Sequence, residues 1–233
     1  MVDELEVFLY LSEPGGHVGA VGLQQGQSFL LVAGPGGNEL GVAPAGRLGA
    51  RMVLIDVTDD ASVAAAAKTI EADGGLDVLV NNAGIEMRIE GNVVPGAAEI
   101  TADMMRSLFE TNVFGVVRVT HAFLPLLRRS AAPVVVNVSS GLASMTRVTT
   151  PGTPAYAYPA SKAAVNMITV QYAKAFPDMR INAVEPGYTA TDLNGNMGTQ
   201  TVEEGAEIIV RMAQVGPDGP TGGYVGAEGP LPW

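Results

Sequence analysis

The chain contains no cysteine. That removes thiol nucleophiles, thiolate metal sites and disulfides together, and it fits a reducing compartment. No apolar run is long enough to span a bilayer, and the N-terminus lacks a basic region followed by an apolar stretch and a cleavage site. Cations are scarce: 13 Lys and Arg stand against 24 Asp and Glu, a net charge of −11. A nucleic-acid surface needs clustered Lys and Arg, so that class is excluded. No Lys or Arg at all precedes Arg47, whereas Asp3, Glu4, Glu6, Glu13 and Glu39 do. His17 and His121 have no partners at ligand spacing, so no metal site is expected. The expectation is a cytoplasmic protein with neither nucleic acid nor membrane as partner.

What is present is enough apolar material for a core. The 233 residues are 47% hydrophobic, which suits one folded domain over residues 1–233, with 1–46 atypical. From residue 47 onward, short apolar runs at 51–56, 77–82, 133–138 and 180–184 read as buried strands. Between them lie helical patterns over about 59–72, 102–128, 156–176 and 201–215. Thr201 and Glu204 form a capping box at the start of the last helix, and 223–226 reads as a final short strand. Nearly continuous apolar strands alternating with helices imply an α/β fold, a doubly wound parallel sheet covered on both faces. Ligands of such sheets bind beyond the carboxyl ends of the strands. Asp56, Asn82 to Gly84, Ser139-Ser140 and Pro186-Gly187 all fall there.

One pair carries specific chemistry. Tyr158 and Lys162 are four apart on a helix and share a face. A nearby ammonium stabilises phenolate and lowers the tyrosine pKa toward a range useful for proton transfer. With six Tyr and three Lys in 233 residues, chance supplies only about 0.1 such pairs. Tyr156 stands at the wrong helical spacing from Lys162. Each candidate also has an ordinary reading: Tyr158–Lys162 as a helix-face pair, Ser140 as a strand-ending turn residue with Ser139 as its rival, Asp56 as a surface acid, and Asn112 as a partner for backbone groups in an irregular helix turn.

Taken together, Asp56-Val57, Asn81-Asn-Ala-Gly84, Asn112, Asn137-Val-Ser-Ser140, Tyr158-x-x-x-Lys162 and Pro186-Gly-Tyr-Thr-Ala-Thr191 resemble the short-chain dehydrogenase/reductase family in order and spacing. The wording at 137–143 and 186–194 resembles its carbonyl-reductase-like branch. The resemblance implies a single Rossmann-like domain and a catalytic set of Asn112, Ser140, Tyr158 and Lys162. Tyr158 would donate or accept the proton, and Lys162 would lower its pKa and bind the nicotinamide ribose. Ser140 would hold the substrate oxygen, and Asn112 would anchor a water relay. Asp56 and Val57 would meet the adenine, while Asn82, Ala83 and Gly84 would line its ribose. Pro186, Gly187, Thr189 and Thr191 would border the nicotinamide and phosphates. The implied cofactor is NADP(H) in preference to NAD(H). The implied substrate is a small carbonyl compound or alcohol, in a monomer or homo-oligomer. The extended stretch at 145–154 would form a flap beside the substrate cleft, as in carbonyl reductases.

The N-terminal segment departs from the family. A strand followed by Thr-Gly-x-x-x-Gly-x-Gly should open the chain, because glycines let the backbone approach a pyrophosphate at a helix N-terminus. With 6–11 as the first strand and 28–33 as the second, Ser12 to Gly19 occupies the loop position and keeps only Gly19 of the pattern. Glu13 and His17 stand where glycines belong. Gly34-Pro-Gly-Gly37 is glycine-rich but precedes Asp56 by too few residues on this reading. The segment is open to three explanations: a divergent loop binding through backbone groups, a scaffold that has lost turnover and acts as a dinucleotide sensor or interaction protein, or a shifted reading frame.

Overall fold

The computed structural model describes residues 6–11, 17–18, 21–22, 29–32, 50–90, 93–149 and 155–233. In chain order the elements are β1 (Glu6–Leu11), β2 (His17–Val18), β3 (Val21–Gly22), β4 (Phe29–Val32), β5 (Ala50–Ile55), α1 (Asp60–Ala72), β6 (Val78–Asn81) and α2 (Ala102–Phe109). A π-helical turn (Glu110–Gly115) joins α2 to α3 (Val116–Leu127). There follow β7 (Val134–Val138), α4 (Ala157–Ala175), β8 (Arg180–Val184), α5 (Val202–Ala213), β9 (Tyr224–Gly226) and β10 (Gly229–Pro230).

β-Branched and aliphatic residues dominate the central strands, and each is buried on both faces along β6 and β7. The eight-stranded sheet has the order β10-β9-β8-β7-β6-β4-β1-β5. β4, β6, β7, β8 and β9 run parallel to one another, and β1 and β10 oppose them. The period of two sorts each strand's side chains between the layers. Leu79 packs with Val135, with Val63 and Ile70 of α1 and with Val119 and Phe123 of α3. Val78 and Val80 face the other way, with Ile208 and Met212 of α5. The expected Rossmann-like α/β fold is thus present, with its sheet mostly parallel.

The order of the first strands is a correction. β4, expected as the second strand, lies directly beside β6 with Val32 opposite Asn81. β1, expected as the first, is inserted antiparallel between β4 and β5, with Leu11 opposite both Phe29 and Ala50. The chain therefore leaves β1 at the amino-terminal edge of the parallel strands, away from Gly84 and Ser140. β1 thus does not end at the binding edge. It is β4 that ends there, and the sequence continuing from it is Ala33-Gly-Pro-Gly-Gly37. That stretch, like 12–16 and 19, lies outside the described residues.

The helix expected over 102–128 is broken by the π turn. Thr101 caps its start by accepting from Met104 N, and the Thr201–Glu204 capping box forms in both directions. Gly115 ends the π turn against the strand end after β5: a Cβ there would stand 2.8 Å from Val57 Cγ2 and 3.1 Å from Val57 Cβ. Both sides of that contact are buried. Gly115→Ala should therefore destabilise the fold by about 1–3 kcal/mol through overpacking, read as a lower urea midpoint with unchanged m-value. An unchanged midpoint would show that the backbone yields there.

Candidate active site

The site is assembled at the carboxyl ends of β6, β7 and β8. β6 delivers Asn82, Ala83 and Gly84, β7 delivers Ser139 and Ser140, and β8 delivers the turn at Pro186. Helix α4 begins beneath them and carries Tyr158 and Lys162 on one face. A buried polar ladder ties these strands together: Asn81 Nδ2 donates to Asn137 Oδ1 at 2.8 Å and to Thr120 Oγ1 at 3.1 Å. Asn137 Nδ2 donates in turn to Thr169 Oγ1 of α4 at 2.9 Å. Each partner is desolvated, so the ladder fixes strand and helix in register.

Asn112 lies in the π turn, fully buried. Its Oδ1 accepts from Ile85 N at 2.8 Å, and its Nδ2 donates to Ile85 O at 2.9 Å and to Ser161 Oγ at 3.1 Å. Ser161 donates to Tyr158 O at 2.7 Å. The carboxamide satisfies backbone groups, but those of the loop after β6 rather than of its own helix. π turns recur at functional sites because they rotate one side chain off the helix's regular face.

Lys162 is 4% exposed and donates from Nζ to Val138 O at 2.9 Å. The same ammonium lies over the Tyr158 ring, 5.6 Å from its centroid. Burial pulls the lysine pKa down to about 8. Tyr158 is half-buried, and its pKa moves up from the ordinary phenol value, chiefly by burial and next by the Glu86 carboxylate. A hydrogen bond with Ser140 pulls the other way, while Tyr224 and Glu185 add to the rise. Lys162 is not among the causes of the shift, so the expected lowering is not found. The ammonium is partly spent on a carbonyl and sits at the ring face rather than at the phenol oxygen. Tyr158 is held protonated.

Residues that spacing did not reveal brace Ser140 and the segment after it. Tyr224 donates from its hydroxyl to Ser140 O at 2.5 Å and stacks on Trp233, ring centroids 5.4 Å apart. Trp233 O accepts from Thr146 N at 3.1 Å and Thr146 Oγ1 at 2.9 Å, so the segment after Ser140 is pinned by the last strand pair. Arg147 Nη1 stands 4.0 Å from Glu185 Oε2, across Gly141. Ser140 Oγ also accepts from Leu142 N at 3.2 Å. Ser139 is fully buried and points away, donating to Lys162 O at 3.4 Å, which removes it as the rival serine. A Tyr directly after a strand-forming glycine was the available signal for Tyr224; Glu86 had none beyond its place after Gly84.

The remaining candidates are spread along the same edge. Asp56 lies beyond β5 with Oδ1 accepting from Thr58 N at 2.8 Å and Thr58 Oγ1 at 2.7 Å. Val57 is buried beside it. Pro186, Gly187, Thr189 and Thr191 form the loop after β8. Thr189 Oγ1 accepts from Gln200 Nε2 at 2.9 Å, and Thr191 N donates to Asn194 Oδ1 at 3.3 Å, so both are engaged within that loop. Arg88 Nε reaches Leu193 O at 3.2 Å and spans the cleft from the β6 side. The residues fit a nicotinamide dinucleotide at two points. A Cβ on Gly84 would stand 3.2 Å from Lys162 Nζ and 3.5 Å from Asn112 Oδ1, so backbone lies open beside the ammonium. The Asp56 carboxylate keeps an acceptor oxygen at the opposite end. Among the described residues no group of three or more His, Asp or Glu could hold a metal ion, and no helix is long and apolar enough to cross a membrane.

Comparison with known proteins agrees with this geometry. The sequence model of the short chain dehydrogenase family matches residues 36–202. A short-chain dehydrogenase, anuI, of Penicillium roqueforti is 39% identical over 176 residues, covering 70% of this chain and 68% of the relative. A (+)-neomenthol dehydrogenase of Capsicum annuum is 30% identical over 236 residues, covering 72% and 75%. The crystal structure of an NADPH-bound carbonyl reductase from chicken fatty liver superposes with a TM-score of 0.69 at 27% identity, covering 78% of this chain and 76% of that one. The chain belongs to the short-chain dehydrogenase family. Within it, the protein is carbonyl-reductase-like.

The buried lysine has a consequence for stability. In the unfolded chain a lysine keeps its proton to about pH 10.4, whereas in the fold Lys162 loses it near pH 8. Its contribution therefore becomes more favourable as pH rises from about 8 to 10.4, and at neutral pH the buried ammonium destabilises the fold. Lys162→Met should stabilise the cofactor-free protein at pH 7 by about 1–2 kcal/mol after loss of the Val138 bond, read as a higher melting temperature. The difference should shrink at pH 10. A variant less stable than the wild type at both pH values would contradict this.

Proposed function

We propose that the protein is an NAD(P)H-dependent oxidoreductase that reduces a ketone or aldehyde to an alcohol, with Tyr158 as proton donor. The observation that carries this reading is the convergence of Ser140, Tyr158, Lys162 and Asn112 at one strand edge, with the phenol held protonated. A bound nicotinamide would supply hydride to the carbonyl carbon. Tyr158 would give its proton to the carbonyl oxygen, and the Ser140 hydroxyl would orient that oxygen. Lys162, with one bond to Val138 O, has N–H groups left for ribose hydroxyls and carries the charge that stabilises phenolate after transfer. With its carboxamide engaged, Asn112 would serve the proton relay through main-chain groups of the π turn. Asp56 and Val57 would hold the adenine, Asn82, Ala83 and Gly84 its ribose, and Pro186, Gly187, Thr189 and Thr191 the nicotinamide side. NADP(H) is the favoured cofactor, in a single dinucleotide-binding domain over the whole chain that acts in the cytoplasm.

The substrate in this reading is apolar. Exposed apolar side chains follow the strand ends on every side of Tyr158: Leu142, Met145 and Val148 after β7, Tyr156 ahead of α4, and Tyr188 and Met197 after β8. Met145 is 70% exposed. Apolar surface gathered around a polar centre marks a binding site for an apolar partner. The departure of the first 46 residues favours a second reading, a protein that binds dinucleotide without turning over.

Titration of NADPH and NADH against the fluorescence of Trp233 tests the first step. Binding at micromolar to sub-millimolar NADPH is expected; none at millimolar concentration of either cofactor would sink the enzyme reading. Turnover of a hydrophobic ketone separates the enzyme from the sensor. Tyr158→Phe should lower kcat by about 10²–10⁴-fold and leave cofactor binding within a few fold. Retained turnover would reject Tyr158 as the donor.

A further inference from the structure

Arg118, on the first turn of α3, makes a set of contacts that the proposed chemistry does not use. Its side chain is 20% exposed. Nη1 donates to Val57 O at 2.5 Å, Nη2 to Glu110 Oε1 at 2.8 Å, and Nε to Asp60 Oδ1. The three acceptors belong to three different pieces of the chain. Val57 is the strand end after β5, Asp60 opens α1, and Glu110 opens the π turn. Both carboxylates hold the guanidinium firmly charged. A planar fork with five donors can bridge three acceptors at fixed angles; an ammonium cannot.

The bridged pieces are the two ends of the dinucleotide cleft. The π turn that begins at Glu110 carries Asn112, which bonds Ile85 and, through Ser161, the backbone of Tyr158. The turn at Val57 carries Asp56, whose Oδ1 is already oriented by Thr58 and whose N donates to Ser62 Oγ at 2.8 Å. Gly115, three residues before Arg118, presses on Val57 from the same side. This contact patch joins the two ends, beside the core packing of Val57 with Ala83 and Val119.

We propose that Arg118 is a positioning residue for the cofactor: by clamping Val57 O to Glu110 and Asp60, it sets the distance between the adenine end and the proton-transfer end of the cleft. The inference rests on the reading that Asp56 and Val57 hold adenine. Without the clamp, Val57 can shift relative to Asn112. The nicotinamide half of the cofactor is unaffected, because none of its proposed contacts touches Arg118. The loss falls on ligands that must reach both ends at once.

The test measures dissociation constants by calorimetry for two probes, NADPH and reduced nicotinamide mononucleotide, which lacks the adenosine half. With Arg118→Met, the constant for NADPH should rise at least tenfold, and that for the mononucleotide should stay within twofold. In turnover, KM for NADPH should rise while kcat at saturation stays within about threefold. Arg118→Lys keeps the charge but bridges fewer acceptors, so about a threefold rise for NADPH is expected; it carries the test if the methionine variant does not fold. An unchanged constant for NADPH in a folded variant overturns the proposal. So does equal weakening of both probes, which is what a merely structural role would give. Failure of the wild type to bind NADPH overturns the cofactor reading itself, and the proposal with it.

Discussion

The Asn112 carboxamide is the constraint on which the site's geometry depends. It is fully buried, and it closes a three-atom accounting in which both N–H groups and the oxygen are spent. Two of the bonds seize Ile85 at both its backbone groups and so fix where the loop after β6 turns. The third reaches Ser161, one residue from Lys162. An asparagine on a regular helix could not reach all three, because the strand end and α4 lie on different sides of the helix axis. The π turn rotates Asn112 between them. Gly115 then lets the same turn press onto Val57 without a side chain intervening. Loss of the carboxamide would leave the half-buried Ile85 N–H and C=O without these partners, each costing up to about 1–3 kcal/mol.

Around that anchor the charges are arranged asymmetrically. Two carboxylates, Glu86 and Glu185, lie close enough to act on Tyr158, whereas the buried Lys162 is shifted by burial alone. Glu86 is itself pushed above the usual carboxylate range by burial. Arg147 stands beside Glu185 and relieves part of its field, whereas Glu86 accepts from Met87 N at 3.1 Å and feels Arg88 at longer range. The net effect favours the neutral phenol. A protonated tyrosine is the form that donates to a carbonyl oxygen, and phenolate is the form needed to accept from an alcohol. In the cofactor-free protein, electrostatics therefore hold the phenol in its donating form.

What the sequence made legible follows from where the physics is local. Tyr158–Lys162 spacing, the capping box at Thr201 and Glu204, and the apolar runs of β6, β7 and β8 depend on neighbours a few residues away, and the structure reproduces them. The parallel order of those strands was also accessible, since helices alternate with them. The π turn was not: nothing in 110–115 distinguishes an extra residue per turn from a continuous helix. Nor was the placement of β1. Its alternation reads equally well in either direction, and only pairing with β4 and β5, set by contacts distant in sequence, decides it. Tyr224 and Trp233 act on Ser140 and Thr146 from more than 80 positions away, and Glu86 acts through its burial. Those are tertiary effects that no local pattern encodes.

The reversal of β1 bears on how the two halves of the protein can differ so much in character. Among the described residues, the bonds of Asn112, Ser140, Tyr158 and Lys162 are made to residues from Ile85 onward. The proton-transfer face is thus supported wholly by the part of the chain with family character. Among the described residues, none of the hydrogen-bond partners of that face lies in the first 46, whose nearest described strand, β4, meets the site through its pairing with β6. Cofactor binding has no such independence, since a dinucleotide must also meet β4 and β5. At that end the described structure includes the Asp56–Val57 turn, tied to the rest of the site by Arg118, by Gly115 and by the packing of Val57 in the core. A chain that departs from its family over its first 46 residues keeps the bonded set around Tyr158. Whether hydride arrives beside it then depends on how firmly that tie holds the adenine end in place.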